Sequence, residues 1–230
     1  MGIAERQKRE RDRRINMILD AATVVIAEKG IEGAKMEDIA STAEIGKSTI
    51  YNYFDSKQIL LAGLDLRGTK IEEAGFLNAY ESGTNGLDST LKICQFYFEY
   101  SNEHAVLFKA KLQIGRIVTE TLEQLMDNPL MKEYMHATQR INKILSNAIA
   151  DGISDGSIRS DLDPVRMSLL LWCQSNGVIE IIQNREKMMN SFLGVTRNQI
   201  EDDFFKSIEL QLKSSTSSSN NSIRNQLGIN

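Results

Sequence analysis

The sequence predicts an all-α protein: an N-terminal three-helix helix-turn-helix domain followed by a larger helical domain. Three observations predict it. The chain has two prolines in 230 residues. Strands and turns consume proline and glycine, so this scarcity favours helix. Apolar residues recur at i, i+3, i+4 and i+7 along much of the chain, the period of an amphipathic helix. Residues 36–57 hold two short helical patterns that meet at a tight turn. At 41% apolar residues the chain can bury a sizeable core. We divide it into 1–56, 57–213 and a Ser/Asn-rich tail, 214–230.

The first helix is predicted from Glu5 to Lys29, with Ile15, Ile18, Leu19, Ala22, Val25 and Ile26 on one stripe. Gly30 is placed to end it. Its first half is basic: Arg6, Lys8, Arg9, Arg11, Arg13 and Arg14 outnumber Glu5, Glu10 and Asp12. Such an arm is either a solvated or frayed extension or a phosphate or minor-groove contact. Met36 to Thr42 forms the next helix, with Ile39 and Ala40 inward. Ala43-Glu44-Ile45 is the turn, and apolar Ile45 suggests a plug between helices. The following helix starts near Gly46-Lys47 and ends at Phe54. Ile50 and Phe54 sit at i and i+4 on its apolar face, while Lys47, Ser48, Thr49, Tyr51, Asn52 and Tyr53 form the polar front. This is the layout of a DNA-binding helix-turn-helix. Asp55-Ser56 supplies an N-cap for a fourth helix, Lys57 to Tyr80. A lysine in the first turn opposes the helix dipole, which points to a DNA phosphate as its partner.

Glu81 to Gly86 is a loop. A helix follows from Leu87 to Asn102, with a short break at Glu103-His104. Ala105 to Met126 reads as one or two helices, with an interruption near Ile114-Gly115. Pro129 opens another, periodic from Leu130 to Ala150. Asp151 to Pro164 reads as a loop with room for a short helical turn. Asp163-Pro164 starts a helix to Gln183 whose middle, Met167 to Trp172, is apolar nearly all round. Asn184 to Val195 reads as a loop or short helix, and Thr196 to Leu212 as the last helix. The tail from Ser214 is too polar to order itself.

Ile39-Ala40, Ile45, Thr49-Ile50-Tyr51 and Tyr53-Phe54, followed by Ser56-Lys57, resemble the amino-terminal signature of TetR-type transcriptional regulators. The resemblance is specific over about Ile15 to Leu64 and architectural beyond. The family usually has glycine in the turn where this chain has Glu44, and often serine where it has Gly46. The resemblance implies a homodimeric regulator, most simply a repressor, on a palindromic operator of double-stranded DNA. It implies a phosphate contact for Lys57 and pairing of the last two helices across the dimer as a four-helix bundle. It also makes the fourth helix the link between the two domains.

The residues carry parallel expectations. Asn52 can pair with adenine, Lys47 can reach guanine or phosphate, and Tyr51 and Tyr53 can donate to phosphates. Surplus apolar surface on Pro164–Gln183 and Thr196–Leu212 suits a two-fold interface, with small Ser175, Asn176 and Gly177 allowing close approach. A small-molecule effector pocket is expected among the middle helices. Its walls would be Phe96, Tyr97, Tyr100, Phe108, Leu112, Tyr134, Met135, Trp172 and Gln174, which suit an apolar or aromatic ligand. A constitutive dimer without effector, and a helical enzyme or carrier that has lost DNA binding, are the competing readings.

No cofactor, metal or catalytic site is expected. His104 and His136 have no partners at metal-ligand spacing, and no phosphate loop, nucleophile elbow or HExxH occurs. The net charge of −4 argues against a wholesale polyanion binder but leaves room for a local basic face. Cys94 and Cys173 read as two buried thiols in a reducing compartment. The polar start and the lack of an apolar run near the ~20 residues of a membrane helix make the expected location cytoplasmic.

Overall fold

A computed structural model describes residues 2–125 and 128–214, with side chains except at 116–125. Nine α-helices account for nearly all of them: α1 Ile3–Gly33, α2 Met36–Thr42, α3 Lys47–Tyr51, α4 Lys57–Glu81, α5 Gly86–Glu103, α6 Ala105–Leu125, α7 Pro129–Asp155, α8 Pro164–Met188 and α9 Arg197–Leu212. A π-helical turn, Met189–Leu193, extends α8. The described residues form two compact units, those up to residue 74 with those of 99–141, and those of 75–98 with those from 142 onward.

In the first unit α1 is regular up to Gly30, whose φ of 71° breaks it. A left-handed φ costs glycine little, which is why the helix stops there. Ile18, Leu19, Ala22, Val25 and Ile26 are buried as the periodicity predicts, while Ile15 is half-buried. Residues 3–13 are exposed. The turn between α2 and α3 differs in detail from expectation. Ala43 is the buried residue at 4% exposure, and Ile45 is only half-buried. Glu44 takes a positive φ of 53°, the only non-glycine among the described residues to do so. The helix begun at Lys47 ends at Tyr51, and a further turn bonded to Ile50 carries the chain to Phe54. Ile50 and Phe54 are fully buried.

α6 runs unbroken through Ile114-Gly115, where an interruption was expected. It packs against α1. α4 presents Leu61, Asp65, Thr69 and Glu72 along one buried face. Gly68 lies on that face because Tyr100 fills the space of a side chain: a Cβ there would stand 2.3 Å from the Tyr100 hydroxyl.

In the second unit two helices run further than expected. α7 continues through Asp151-Gly152 to Asp155. Gly152 fits because the start of α5 lies against it; a Cβ on Gly86 would stand 1.9 Å from the Gly152 nitrogen. α8 runs past Asn184 to Met188 and the π-helical turn, and Gly194 closes it at φ 64°. Asp163 caps α8 by accepting from the Arg166 amide at 2.8 Å, with Pro164 in the first turn as predicted. Thr196 and Gln199 cap α9 reciprocally. Phe98 packs between Phe204 and Phe205, with ring centres 5.3 and 5.0 Å away. Cys94 is buried, but Cys173 is exposed on α8, contrary to the expectation of two buried thiols. Of the tail expected to be disordered from Ser214, Ser214 itself is held, its amide donating to the Ser157 carbonyl at 3.2 Å, and 215–230 lie outside the described residues.

Candidate nucleic-acid interface and effector core

The helix-turn-helix is built from an apolar inside and a polar outside. Met36, Ile39, Ala40, Ala43, Ile50 and Phe54 are buried, which fixes α2 and α3 against each other and against α1. Lys47, Ser48, Tyr51 and Asn52 are exposed, and Thr49, Tyr53 and Lys57 half-buried. Tyr51 is 38% exposed. The predicted polar front therefore stands together on one surface.

The charges on this surface are paired within the chain. Lys47 Nζ lies 2.7 Å from Glu37 Oε1, which ties the start of α3 to α2. Lys47 holds the Glu37 carboxyl below its usual range through that hydrogen bond. Lys29 does the same for Asp38 at 3.0 Å. The Lys57 ammonium donates to the Glu32 carbonyl at 3.4 Å, so an internal acceptor offsets the unfavourable dipole at the head of α4. Arg13 and Arg14 pair with Glu10 along the arm. Arg11 stacks over the Tyr53 ring at 5.4 Å, which places the basic arm beside the turn that follows α3. All these pairs are open to water, where each is worth little to folding and readily exchanged for a phosphate.

A second polar constellation lies in the core of the same unit. Sequence reasoning missed it. Asp65 is 1% exposed, and Thr69 and Glu72 beside it are as deeply buried. The Lys111 ammonium of α6 pairs with Glu72 Oε2, with side-chain exposures of 13% and 1%. Thr69 donates to Asp65 Oδ1 at 3.5 Å, and the Tyr134 hydroxyl of α7 faces Asp65. Asp65 Oδ2 and Glu72 Oε1 have no hydrogen-bond partner. Burial, offset by Lys111 and reinforced by Glu72, pushes the Asp65 carboxyl up to about 7. Burial also raises the Tyr134 hydroxyl.

The nine residues expected to wall a ligand pocket fall in both units. Tyr100, Phe108, Leu112, Tyr134 and Met135 belong to the first, Phe96, Tyr97, Trp172 and Gln174 to the second. In the first, Tyr100 and Phe108 are fully buried, and Tyr134 reaches Asp65. In the second, the Phe96 ring rests on Gly75 and meets Phe76 edge-on at 6.0 Å. Tyr97 donates to Asn176 at 2.8 Å, and Gln174 to Gln211 at 3.3 Å. Trp172 is 41% exposed, in company with Leu169 and Val165 on the same side of α8. Ser175 is buried within its own chain, whereas Gly177 faces open space.

Among the described residues no cluster of side chains is suited to a metal ion, and no helix is long and apolar enough to cross a membrane.

Comparison with known proteins places this geometry. Residues 18–64 match the family described as bacterial regulatory proteins, tetR family. The chain is 28% identical over 148 residues to the fatty acid metabolism regulator protein of Bacillus subtilis, covering 64% of this chain and 71% of that one. It is 27% identical over 150 residues to the transcriptional repressor KstR2 of Rhodococcus jostii, covering 64% and 68%. Its fold resembles the regulator FadR from Bacillus subtilis solved in complex with stearoyl-CoA, with a TM-score of 0.60, 19% identity, and coverage of 87% and 98%.

Proposed function

Because this chain belongs to the TetR family of bacterial regulatory proteins, we propose that it is a ligand-responsive repressor that binds a palindromic operator as a homodimer and releases it on binding a small molecule. The observation that carries the reading is the polar front of α3: Lys47, Ser48, Tyr51 and Asn52 exposed together over fully buried Ile50. A side-chain set of this kind reads bases in the major groove and fixes register on phosphates. Thr49, Tyr53, Lys57 and the basic half of α1 extend the contact to the backbone.

Two copies bring two recognition helices to half-sites roughly 34 Å apart. The surface that supports dimerisation is on α8 and its extension. Leu169, Leu170, Trp172, Ile181 and Phe192 are 41–83% exposed, far more apolar surface than a solvated helix carries. The effector has a substantial apolar part. Relatives that regulate fatty acid metabolism, and the stearoyl-CoA bound to FadR, make acyl-CoA thioesters the first class to test. An effector releases DNA only by the difference in its affinity for the two states, and each ~1.4 kcal/mol of difference is tenfold in operator affinity. The reading is of a regulator acting in the cytoplasm, not of an enzyme.

The test is a gel shift on DNA flanking the gene for this protein, across a salt series and with a panel of acyl-CoA thioesters. The reading predicts selective binding with a steep salt slope, reversed by one of the thioesters. Weak, unselective binding that no thioester alters would contradict it.

A further inference from the structure

The cations around α3 are held by two kinds of partner. The Lys57 ammonium donates to the Glu32 carbonyl, and Arg11 lies over the Tyr53 ring. Both partners are uncharged, so a phosphate that takes either cation leaves no bare charge behind. Lys47 differs. It is the one cation of residues 47–53, and its Nζ lies 2.7 Å from the Glu37 carboxylate, of which Lys35 is a weaker neighbour. Lys47 and Tyr51 stand at i and i+4, so the pair lies on the polar front of the recognition helix.

Glu37 does little for the fold by standing there. Both side chains are exposed, and an exposed pair adds little to stability. The helix dipole favours an acid at the head of α2, but Asp38 also fills that role, accepting from the Lys35 amide at 3.4 Å. The effect on DNA is larger. A phosphate carries a full negative charge and only accepts. Drawing Lys47 onto it strips Glu37 of its partner and sets the carboxylate against a second anion. A guanine edge presents O6 and N7 as acceptors without a net charge. An ammonium has three donors, so Lys47 can serve such an edge and Glu37 together. The pairing therefore penalises backbone contacts by Lys47 and spares its base contacts.

We infer that Glu37 is a specificity-determining residue of the DNA-binding surface, a positioning group that holds Lys47 for a base edge and withholds it from phosphates. This rests on the reading of α3 as the recognition helix. Sequence-independent attraction is then left to the basic half of α1, where Arg6, Lys8, Arg9, Arg11, Arg13 and Arg14 outnumber the acids. Charge and base reading are divided between two elements of the same surface.

The test is Glu37→Gln, an exchange of equal shape at an exposed site, made in the full chain and checked for folding by circular dichroism. Binding is followed by fluorescence anisotropy across a salt series on two duplexes, one of random sequence and one carrying the inverted repeat that the parent selects from genomic fragments. The variant should bind the random duplex about three- to tenfold more tightly and steepen its salt slope by about 0.9, the increment for one more neutralised phosphate. Affinity for the inverted repeat should change by less than about twofold, so that discrimination falls by nearly the whole gain. In a Lys47→Ala background Glu37→Gln should leave the slope unchanged, because the freed ammonium is what supplies the increment. An unmoved slope on the random duplex, an equal gain on both duplexes, or an increment that persists without Lys47 would overturn the inference. A parent that binds neither duplex, or both alike, strikes the recognition reading itself, whereas a selective parent with an unmoved variant strikes only the role of Glu37.

Discussion

Two regions of the first unit handle charge in opposite ways. In the helix-turn-helix every buried position from Met36 to Phe54 is apolar, and the ion pairs Lys47–Glu37 and Lys29–Asp38 lie in water. In the α4–α6–α7 core, Asp65 and Glu72 are buried, Lys111 is nearly so, and two carboxylate oxygens have no partner. Exposed pairs add at most about 1 kcal/mol each to folding. They leave their side chains available for another polyanion at little cost. Buried charges are expensive and must be matched by something specific. The first region is thus suited to a partner that arrives and leaves with salt.

The largest effect should come from removing the one cation of the buried region. Lys111→Met strands two carboxylates in the core and should cost about 3–5 kcal/mol of stability, read by denaturant unfolding. Little change would mean that the cluster is hydrated, and the contrast between the regions would lose its basis.

The pH profile sharpens the same contrast. The Asp65 carboxyl is raised to about 7 from an ordinary 3.8, so the folded state binds the extra proton between those values. Stability from this group is full below about pH 4 and is lost as pH rises through 7, a change on the order of a few kcal/mol. Asp65→Asn should flatten that part of the profile and leave the protein more stable than the parent at pH 8. A parallel profile in the variant would remove Asp65 as the titrating group.

On the exposed side, Tyr51→Ala and Lys47→Ala should each weaken operator binding by about 1–3 kcal/mol while melting within a degree or two of the parent. A lowered melting temperature with intact DNA affinity would reverse the roles assigned to surface and core. The smallest effect concerns the turn. Glu44 holds φ 53°, where a non-glycine residue is disfavoured by roughly 1–2 kcal/mol. Glu44→Gly, the residue the family usually places there, should therefore stabilise the fold by about 0.5–1 kcal/mol, net of glycine's own entropy cost. Destabilisation would show that the Glu44 side chain contributes to the turn.

The fold was largely legible because its signals are local. Ser56 and Lys57, Pro129 and Pro164 mark helix starts within a residue of where they fall. α7 and α8 outran expectation because Asp151-Gly152 and Asn184 look like turn residues, while packing, including the approach of Gly86 to Gly152, keeps them helical. The recognition surface was legible for the same reason as the helices: Ile50 and Phe54 at i and i+4 force Lys47, Ser48, Tyr51 and Asn52 outward. The core cluster was not, because periodicity assigns a charged residue to the solvent side. A signal existed. Asp65, Thr69 and Glu72 follow Leu61 at helical spacing, so they had to share its buried face. Nor does sequence show whether a buried acceptor finds a donor, since Lys111 and Tyr134 reach Asp65 and Glu72 only through the packing of α6 and α7.

The central claim is that the face of α3 reads a specific DNA sequence. The most direct measurement is selection of genomic fragments by the purified full chain, followed by sequencing, alongside the Tyr51→Ala variant. The account predicts enrichment of an inverted repeat whose affinity falls steeply with salt and which the variant no longer selects. Recovery of unselected bulk DNA, or the same enrichment by both proteins, would contradict it.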